Sequence, residues 1–102
     1  MLNKHGDRLK QKTFTPEEIT YCDRKATPAI HYAGRFAAKE AIKKCILSSG
    51  ELDQIDFNTI EILNAPNGAP VVSPIKNLSY SDLKVSVSHE SEYAIAMAIF
   101  IL

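Results

Sequence analysis

The sequence has little of several features that would tie it to common protein classes. It contains two cysteines, Cys22 and Cys45, without a CxxC spacing, which argues against a disulfide framework and a cysteine-based zinc site. It lacks an apolar run of the ~20 residues that a membrane helix needs, and it opens without a signal peptide. The 12 basic residues equal the 12 acidic ones, so bulk charge indicates neither a nucleic-acid nor a membrane partner. We therefore expect a cytoplasmic protein with free thiols.

Helix signals dominate the first half of the chain. The stretch TPEE at 15–18 combines an N-cap threonine, a proline at the first helical position and the glutamate of a capping box. It predicts a helix that ends near residue 24. The TP pair at 27–28 starts a longer helix, which we expect to end near residue 48 with Gly50 at its C-terminal cap.

Strand signals dominate the second half. Asn67-Gly68 predicts a hairpin, whereas 74–82 is either a short helical turn or a loop. Apolar alternation predicts four strands, at 57–63, 69–72, 84–88 and 93–102. The last strand is apolar on both faces, and so small a chain is hard pressed to cover both, which predicts an oligomer. Helices before an antiparallel sheet define an α+β fold, and we expect one domain over residues 1–102.

The segment 32–46 is the strongest helix and concentrates the chemistry. Small apolar residues form a stripe at helical spacing, namely Ala33, Phe36, Ala37 and Ala41. Another face carries Arg35, Lys39 and Lys43, and Glu40 lies one turn before Lys44. Spacing alone leaves two interpretations open. In the first, the segment is an amphipathic core helix with a surface Glu40–Lys44 pair. In the second, another backbone packs closely against the small residues, and Glu40 is a ligand-binding carboxylate at that contact.

The sequences of three segments resemble those of one enzyme family. The first is GRFAAKEA at 34–41, with a lysine four residues after its glutamate. The second is VSVSHE at 85–90 followed by YAIA at 93–96, and the third, weaker one is FTPEEI at 14–19. Together they resemble the holo-acyl-carrier-protein synthases, which are small phosphopantetheinyl transferases. The resemblance runs from about Arg8 to the end of the chain.

The resemblance implies a fold and an activity. The fold would be that of 4′-phosphopantetheinyl transferases, with helices packed on a small antiparallel sheet. The activity would be Mg²⁺-dependent transfer of 4′-phosphopantetheine from coenzyme A to a serine of apo acyl carrier protein, in fatty-acid or polyketide biosynthesis. The family forms homotrimers, with the coenzyme in the cleft between neighbouring subunits.

The resemblance also implies roles for particular residues. Glu40 would hold Mg²⁺, and Lys44 would contact the diphosphate. Arg35 and His89 would orient the coenzyme, and Arg8 would be a peripheral phosphate contact. Lys39 would add positive charge near the phosphates, whereas His31 and His5 match nothing in the family pattern. The general base would be a water molecule or Glu40, and the basic stretch 4–12 with Lys25 could dock an acidic carrier protein.

The sequence departs from the family pattern in two places. Family members begin with a strand of the type GxDxxxI, whose aspartate is the other metal ligand, and no segment before Arg8 resembles it. The glycine-rich turn after the central helix is replaced by Leu47-Ser48-Ser49-Gly50. Three explanations are open: a start assigned too late, a shortened and weakly active enzyme, or an inactive relative. The last would be a module that binds coenzyme A or the carrier protein.

Overall fold

The computed structural model describes residues 4–89 and 93–102, and for 4–7 it describes the backbone alone. Three helices come first, followed by a 3₁₀ turn at Phe57–Thr59 and four strands. The helices are α1 (Lys4–Thr13), α2 (Pro16–Asp23) and α3 (Pro28–Ser49), and the strands are β1 (Ile62–Asn64), β2 (Pro70–Val72), β3 (Asp82–His89) and β4 (Ala94–Ile101). Within these ranges, no helix is both long and apolar enough to cross a membrane.

The helix boundaries follow the local signals in the sequence. The Thr15 side chain accepts a hydrogen bond from the amide of Glu18, and the Glu18 carboxylate accepts one from the amide of Thr15. This capping box starts α2 as expected. At the other end of α3, Gly50 takes a left-handed conformation with φ 80°, which glycine adopts without steric cost.

The strands pair as two antiparallel ladders, β1 with β2 and β3 with β4. The predicted hairpin joins β1 to β2, and Gly68 in its loop has φ 88°. The segment 74–82 is a loop up to Ser81, and β3 begins at its last residue. The residues between the last two predicted strands, 89–92, are expected to turn the chain, and of these 90–92 lie outside the described residues.

The predicted strand over 57–63 is wrong in its first half. Phe57–Thr59 form a 3₁₀ turn, and the strand begins at Ile62. The ammonium of Lys39 donates to the carbonyl oxygen of Phe57 at 2.9 Å and to that of Ile60. These carbonyls are therefore held by a side chain of α3 and are not available to a neighbouring strand.

The core lies between α3 and the strands. A second face of α3, formed by Gly34, Ala38, Ile42 and Ile46, is buried. The expected alanine stripe is not this core face, because Ala33 and Phe36 are exposed and Ala37 and Ala41 are half-buried. The remaining buried members of the main cluster come from the loops and strands: Ile55, Ile60, Ile62, Ile75 and Leu83. Cys22 and Cys45 are free thiols, as expected.

The exposed face of the β3–β4 ladder is apolar on β4 and polar on β3, where Lys84, Ser86 and Ser88 pair with Ile99, Met97 and Ile95. On β4 the alanines and Phe100 face inwards and pack against the core. The alternate side chains, Tyr93, Ile95, Met97, Ile99 and Ile101, are between 49% and 69% exposed. A contiguous apolar surface of this kind is characteristic of an interaction site.

Candidate functional site

A cavity of about 260 Å³ lies between the end of α2, α3, the β1–β2 hairpin and the end of β3. We call it the histidine cavity. Its polar and titratable lining consists of Tyr21, His31, Arg35, Asn64 and His89. No aspartate or glutamate is among its described lining residues. A small cavity that collects basic groups without a carboxylate is suited to an anion.

Arg35 is the fixed cation of the histidine cavity. Its side chain is 8% exposed, its guanidinium lies over the ring of Tyr21 at 4.5 Å, and it donates a hydrogen bond to the Asn64 side-chain oxygen. Its Nε is buried and has no hydrogen-bond partner among the described residues. A guanidinium that Tyr21 and Asn64 hold in place at the wall of a cavity is pre-organised to attract an anion there.

His89 closes one side of the cavity at the end of β3. Its imidazole lies directly against Gly34 of α3, so that a Cβ added at Gly34 would overlap Nε2 of the ring. The glycine of the GRFAAKEA segment is therefore needed for close approach of a side chain and not for an unusual backbone angle. Of the residues expected to orient the coenzyme, the structure brings Arg35 and His89 together.

His31 is a cavity residue that the sequence interpretation left without a role. Its ring lies 6.4 Å from that of His89 and 6.0 Å from that of Tyr21, measured between centroids. Burial lowers its pKa, and the charges of Lys25, His89 and Arg35 lower that pKa further. The sequence carried one usable signal: His31 lies three residues before Gly34, on the same face of the helix.

Lys39 does not supply free positive charge to a ligand, contrary to expectation. Its side chain is fully buried, and Nζ lies 2.7 Å from Oε1 of Glu18, whose side chain is also fully buried. Burial lowers the pKa of Lys39, and the hydrogen bond that Lys39 donates to Glu18 opposes that shift. The lysine of GRFAAKEA is thus part of the core and neutralised within it.

Glu40 and Lys44 lie on a different side of α3 from the histidine cavity. At ~100° per residue, Glu40 is about 140° and Lys44 about 180° around the helix from Arg35. Glu40 is half-buried and Lys44 is exposed. In the described part of the chain, no ion pair within 4.0 Å joins Glu40 to Lys44 or to another cation. The carboxylate is therefore available to an external cation.

Arg8 lies exposed on α1. A shallow groove has α1 on one side and Tyr32, Ala33 and Phe36 of α3 on the other. Phe36 precedes Glu40 by one helical turn, so α1 runs near the side of α3 that carries the carboxylate. This placement is compatible with a peripheral contact from Arg8, and neither Arg8 nor Glu40 lines the histidine cavity.

Fold and site together define a class: a small α+β protein with a basic cavity on one side of its central helix and, on another, a carboxylate without an ion pair among the described residues. Such a protein is suited to a phosphate-bearing ligand and a divalent cation. The family description "4′-phosphopantetheinyl transferase superfamily" matches residues 1–98. The chain belongs to this superfamily.

Individual relatives and solved structures give the same result. A holo-[acyl-carrier-protein] synthase of Protochlamydia amoebophila is 41% identical over 97% of this chain and 84% of its own length. That of Chlamydia felis is 40% identical, over 96% and 82%. The Helicobacter pylori enzyme, solved in complex with coenzyme A, superposes with a TM-score of 0.79 at 28% identity, covering 96% of this chain and 85% of that one. The expected fold and enzyme class, holo-[acyl-carrier-protein] synthase, are confirmed.

Proposed function

We propose that this protein transfers 4′-phosphopantetheine from coenzyme A to a serine of apo acyl carrier protein. The observation that carries the proposal is Arg35, a buried guanidinium with an unused donor in a cavity whose described lining lacks carboxylates. Relatives at about 40% identity bear the corresponding enzyme name, and solved neighbours contain coenzyme A. In the reaction, the serine oxygen forms a bond to phosphorus, the diphosphate bond breaks and 3′,5′-ADP leaves.

Glu40 is the residue that we propose for binding Mg²⁺. The donor set fits this ion, because Mg²⁺ usually keeps several waters and binds through one or two carboxylates plus substrate phosphates. The described residues contain no group of three or more His, Cys, Asp or Glu that could enclose a metal. An ion held by a single carboxylate and the diphosphate would neutralise the charge that develops on the leaving phosphate. Lys44, one turn beyond Glu40, would contact the same diphosphate.

A second copy of the chain is needed to bring the two halves of the site together. Arg35 and His89 line a cavity on one side of α3, and Glu40 and Lys44 lie on another. We propose that one coenzyme binds between subunits, with the histidine cavity of one subunit and Glu40 of its neighbour. The exposed apolar face of β4 would form the contact, in a homotrimer of single-domain subunits. A heterologous contact of this kind closes into a ring.

The carrier protein is the partner that we propose for the basic side of the molecule. Arg8, Lys10 and Lys12 lie on α1, and Lys25 follows α2. Acyl carrier proteins are acidic, so complementary charge would orient the encounter. The pathway would be fatty-acid or polyketide biosynthesis, and free Cys22 and Cys45 favour a reducing cytoplasm.

The direct test is transfer. Incubation with coenzyme A, Mg²⁺ and apo acyl carrier protein should increase the carrier's mass by one phosphopantetheine group, detected by mass spectrometry. A carrier with its acceptor serine changed to alanine is the control. Binding of coenzyme A without any mass gain would instead support the second candidate, a catalytically weak or inactive binding module. That candidate rests on Glu40 being the one described carboxylate that we can assign to the metal.

A further inference from the structure

The histidine cavity contains more titratable basic groups than its assigned role requires. Arg35 and His89 were expected there, but His31 lies in the same cavity, 6.4 Å from His89 between ring centroids. Tyr21 carries two cations over its ring, the Arg35 guanidinium at 4.5 Å and the Lys25 ammonium at 4.5 Å. A further positive charge on His31 is therefore unfavourable unless an anion lies among these groups.

The elements around His31 carry charged and titratable groups close to it. Tyr21 comes from α2, Lys25 from the connection that follows, Arg35 from α3 itself and His89 from β3. The β1–β2 hairpin contributes Asn64, Gly68 and Pro70, which carry no charge. No described lining group therefore compensates a proton on His31, and that proton is disfavoured while the cavity is empty.

We propose that His31 is an additional ligand-binding residue, and that a phosphate group of coenzyme A entering the histidine cavity is accompanied by proton uptake at His31. This inference rests on the proposed function, because it takes coenzyme A as the ligand. The bound phosphate reverses the local charge balance: repulsion by Lys25, Arg35 and His89 is offset by attraction to the phosphate oxygens. Once protonated, His31 can donate a charge-assisted hydrogen bond to the phosphate.

The direction of the pH dependence follows from this coupling. Burial and neighbouring cations lower the pKa of His31 in the free protein, so the imidazole is neutral at pH 7 and above. A bound anion raises that pKa, so the complex binds more protons than the free protein. Affinity for coenzyme A must therefore increase as the pH falls. Below about pH 6 the phosphomonoester of the ligand itself gains a proton, which sets the lower limit of the useful range.

The experiment is isothermal titration calorimetry of the full chain with coenzyme A, without Mg²⁺, between pH 6.5 and 8.5. Measuring in two buffers of different ionisation enthalpy gives the number of protons taken up. We expect binding about tenfold tighter at pH 6.5 than at pH 8.5, which corresponds to an average uptake of about half a proton over this range, with the uptake larger at the lower pH. His31→Gln should remove most of the uptake and weaken binding about tenfold at pH 6.5, with little change at pH 8.5. Lys76→Gln removes an exposed charge outside the cavity and should change neither.

Dephospho-coenzyme A shows which phosphate enters the cavity. Uptake that persists with this ligand assigns the diphosphate to the cavity, and uptake that disappears assigns the 3′-phosphate. Uptake that is unchanged in His31→Gln assigns the proton elsewhere and overturns the proposal. So does pH-independent binding of coenzyme A with transfer intact, which leaves the proposed function standing. Absence of any coenzyme binding at either pH overturns both.

Discussion

Lys39 and Glu18 form an ion pair within the core, with Nζ 2.7 Å from Oε1 and both side chains fully buried. The pair connects α2 to α3, and it also holds β1, because the second carboxylate oxygen accepts from the amide of Ile62 at 3.0 Å. Lys39 in turn donates to the carbonyl of Phe57. A single pair of charges thus connects α2, α3 and β1, three of the elements that line the histidine cavity.

Lys39→Met should destabilise the protein by about 3–5 kcal/mol, because it leaves the Glu18 carboxylate buried without its counter-ion. Chemical denaturation measures the free energy of unfolding. Lys43→Met is the matched control: it removes a lysine one turn away that lies over the Phe57 ring at 4.3 Å, and it should cost about 1 kcal/mol. Equal losses for the two variants would show that the buried pair is not special. In Glu18→Gln/Lys39→Met the loss should be smaller than the sum of the single changes.

Gly34→Ala should have opposite effects in two backgrounds. In the natural chain the new methyl group overlaps the His89 imidazole, so we expect a loss of about 1–3 kcal/mol and weaker coenzyme binding. With His89→Ala also present, the overlap is gone and the higher helix propensity of alanine should stabilise α3 by about 0.5–1 kcal/mol. Thermal unfolding of the natural chain, the two single variants and the double variant checks this sign reversal. Destabilisation in both backgrounds would mean that His89 is not the group that Gly34 accommodates.

Glu40→Gln should abolish transfer while leaving the fold intact, since the side chain is half-buried and forms no described ion pair. Loss of the metal-ligand carboxylate should lower kcat at least about hundredfold, while Tm changes little. Glu51→Gln, an exposed carboxylate just beyond α3, is the control. Full activity of Glu40→Gln at saturating Mg²⁺ would remove this residue from the mechanism.

Met97→Glu should prevent assembly of the proposed trimer without unfolding the subunit. Met97 is 69% exposed at the centre of the outer face of β4, so a buried carboxylate would be introduced only where subunits meet. Light scattering after size exclusion should give the subunit mass, with an unchanged circular dichroism spectrum. Val71→Glu places the same charge at an exposed valine on β2 and should leave the assembly unchanged. Equal masses for Met97→Glu and the natural chain would exclude this face as the contact.

Tyr32 should affect how the free energy of unfolding changes at low pH, because its hydroxyl is hydrogen-bonded to Asp23. The Tyr32 hydroxyl donates to the Asp23 carboxylate at 2.7 Å and, with Lys10, lowers its pKa. Because the folded-state pKa lies below the unfolded one, this stabilisation is present above about pH 4 and is lost as the pH falls through the folded pKa. Tyr32→Phe should raise the Asp23 pKa, observed by NMR titration, and should flatten the loss of stability below pH 4. An unchanged titration would assign the shift to Lys10 alone.

The sequence predicted features that local chemistry determines. The capping box of α2, the glycine cap of α3, the hairpin at Asn67-Gly68 and the alternation of β4 are each encoded within a few residues. The resemblance to the family's sequence motifs identified Arg35 and His89 as candidate site residues, and the structure places both in one cavity.

Features that depend on distant contacts were not predicted from the sequence. Lys39 is like its neighbours in helical spacing, and its burial follows from Glu18, 21 positions earlier in the chain. The 3₁₀ turn at Phe57–Thr59 replaces a strand because Lys39 holds two carbonyls there. His31 lies near His89 only because β3 packs beside α3, which local sequence does not reveal. Each case is a tertiary contact that overrides a local preference.

The two-sided arrangement of α3 has a consequence for mixtures of inactive variants. A chain carrying Glu40→Gln keeps its histidine cavity, and a chain carrying His89→Ala keeps its carboxylate. If each active site combines residues from two adjacent subunits, mixed oligomers of the two inactive variants should contain some intact active sites and regain activity. Each α3 would then contribute residues to two active sites, one with each neighbouring subunit, and an isolated subunit would be inactive.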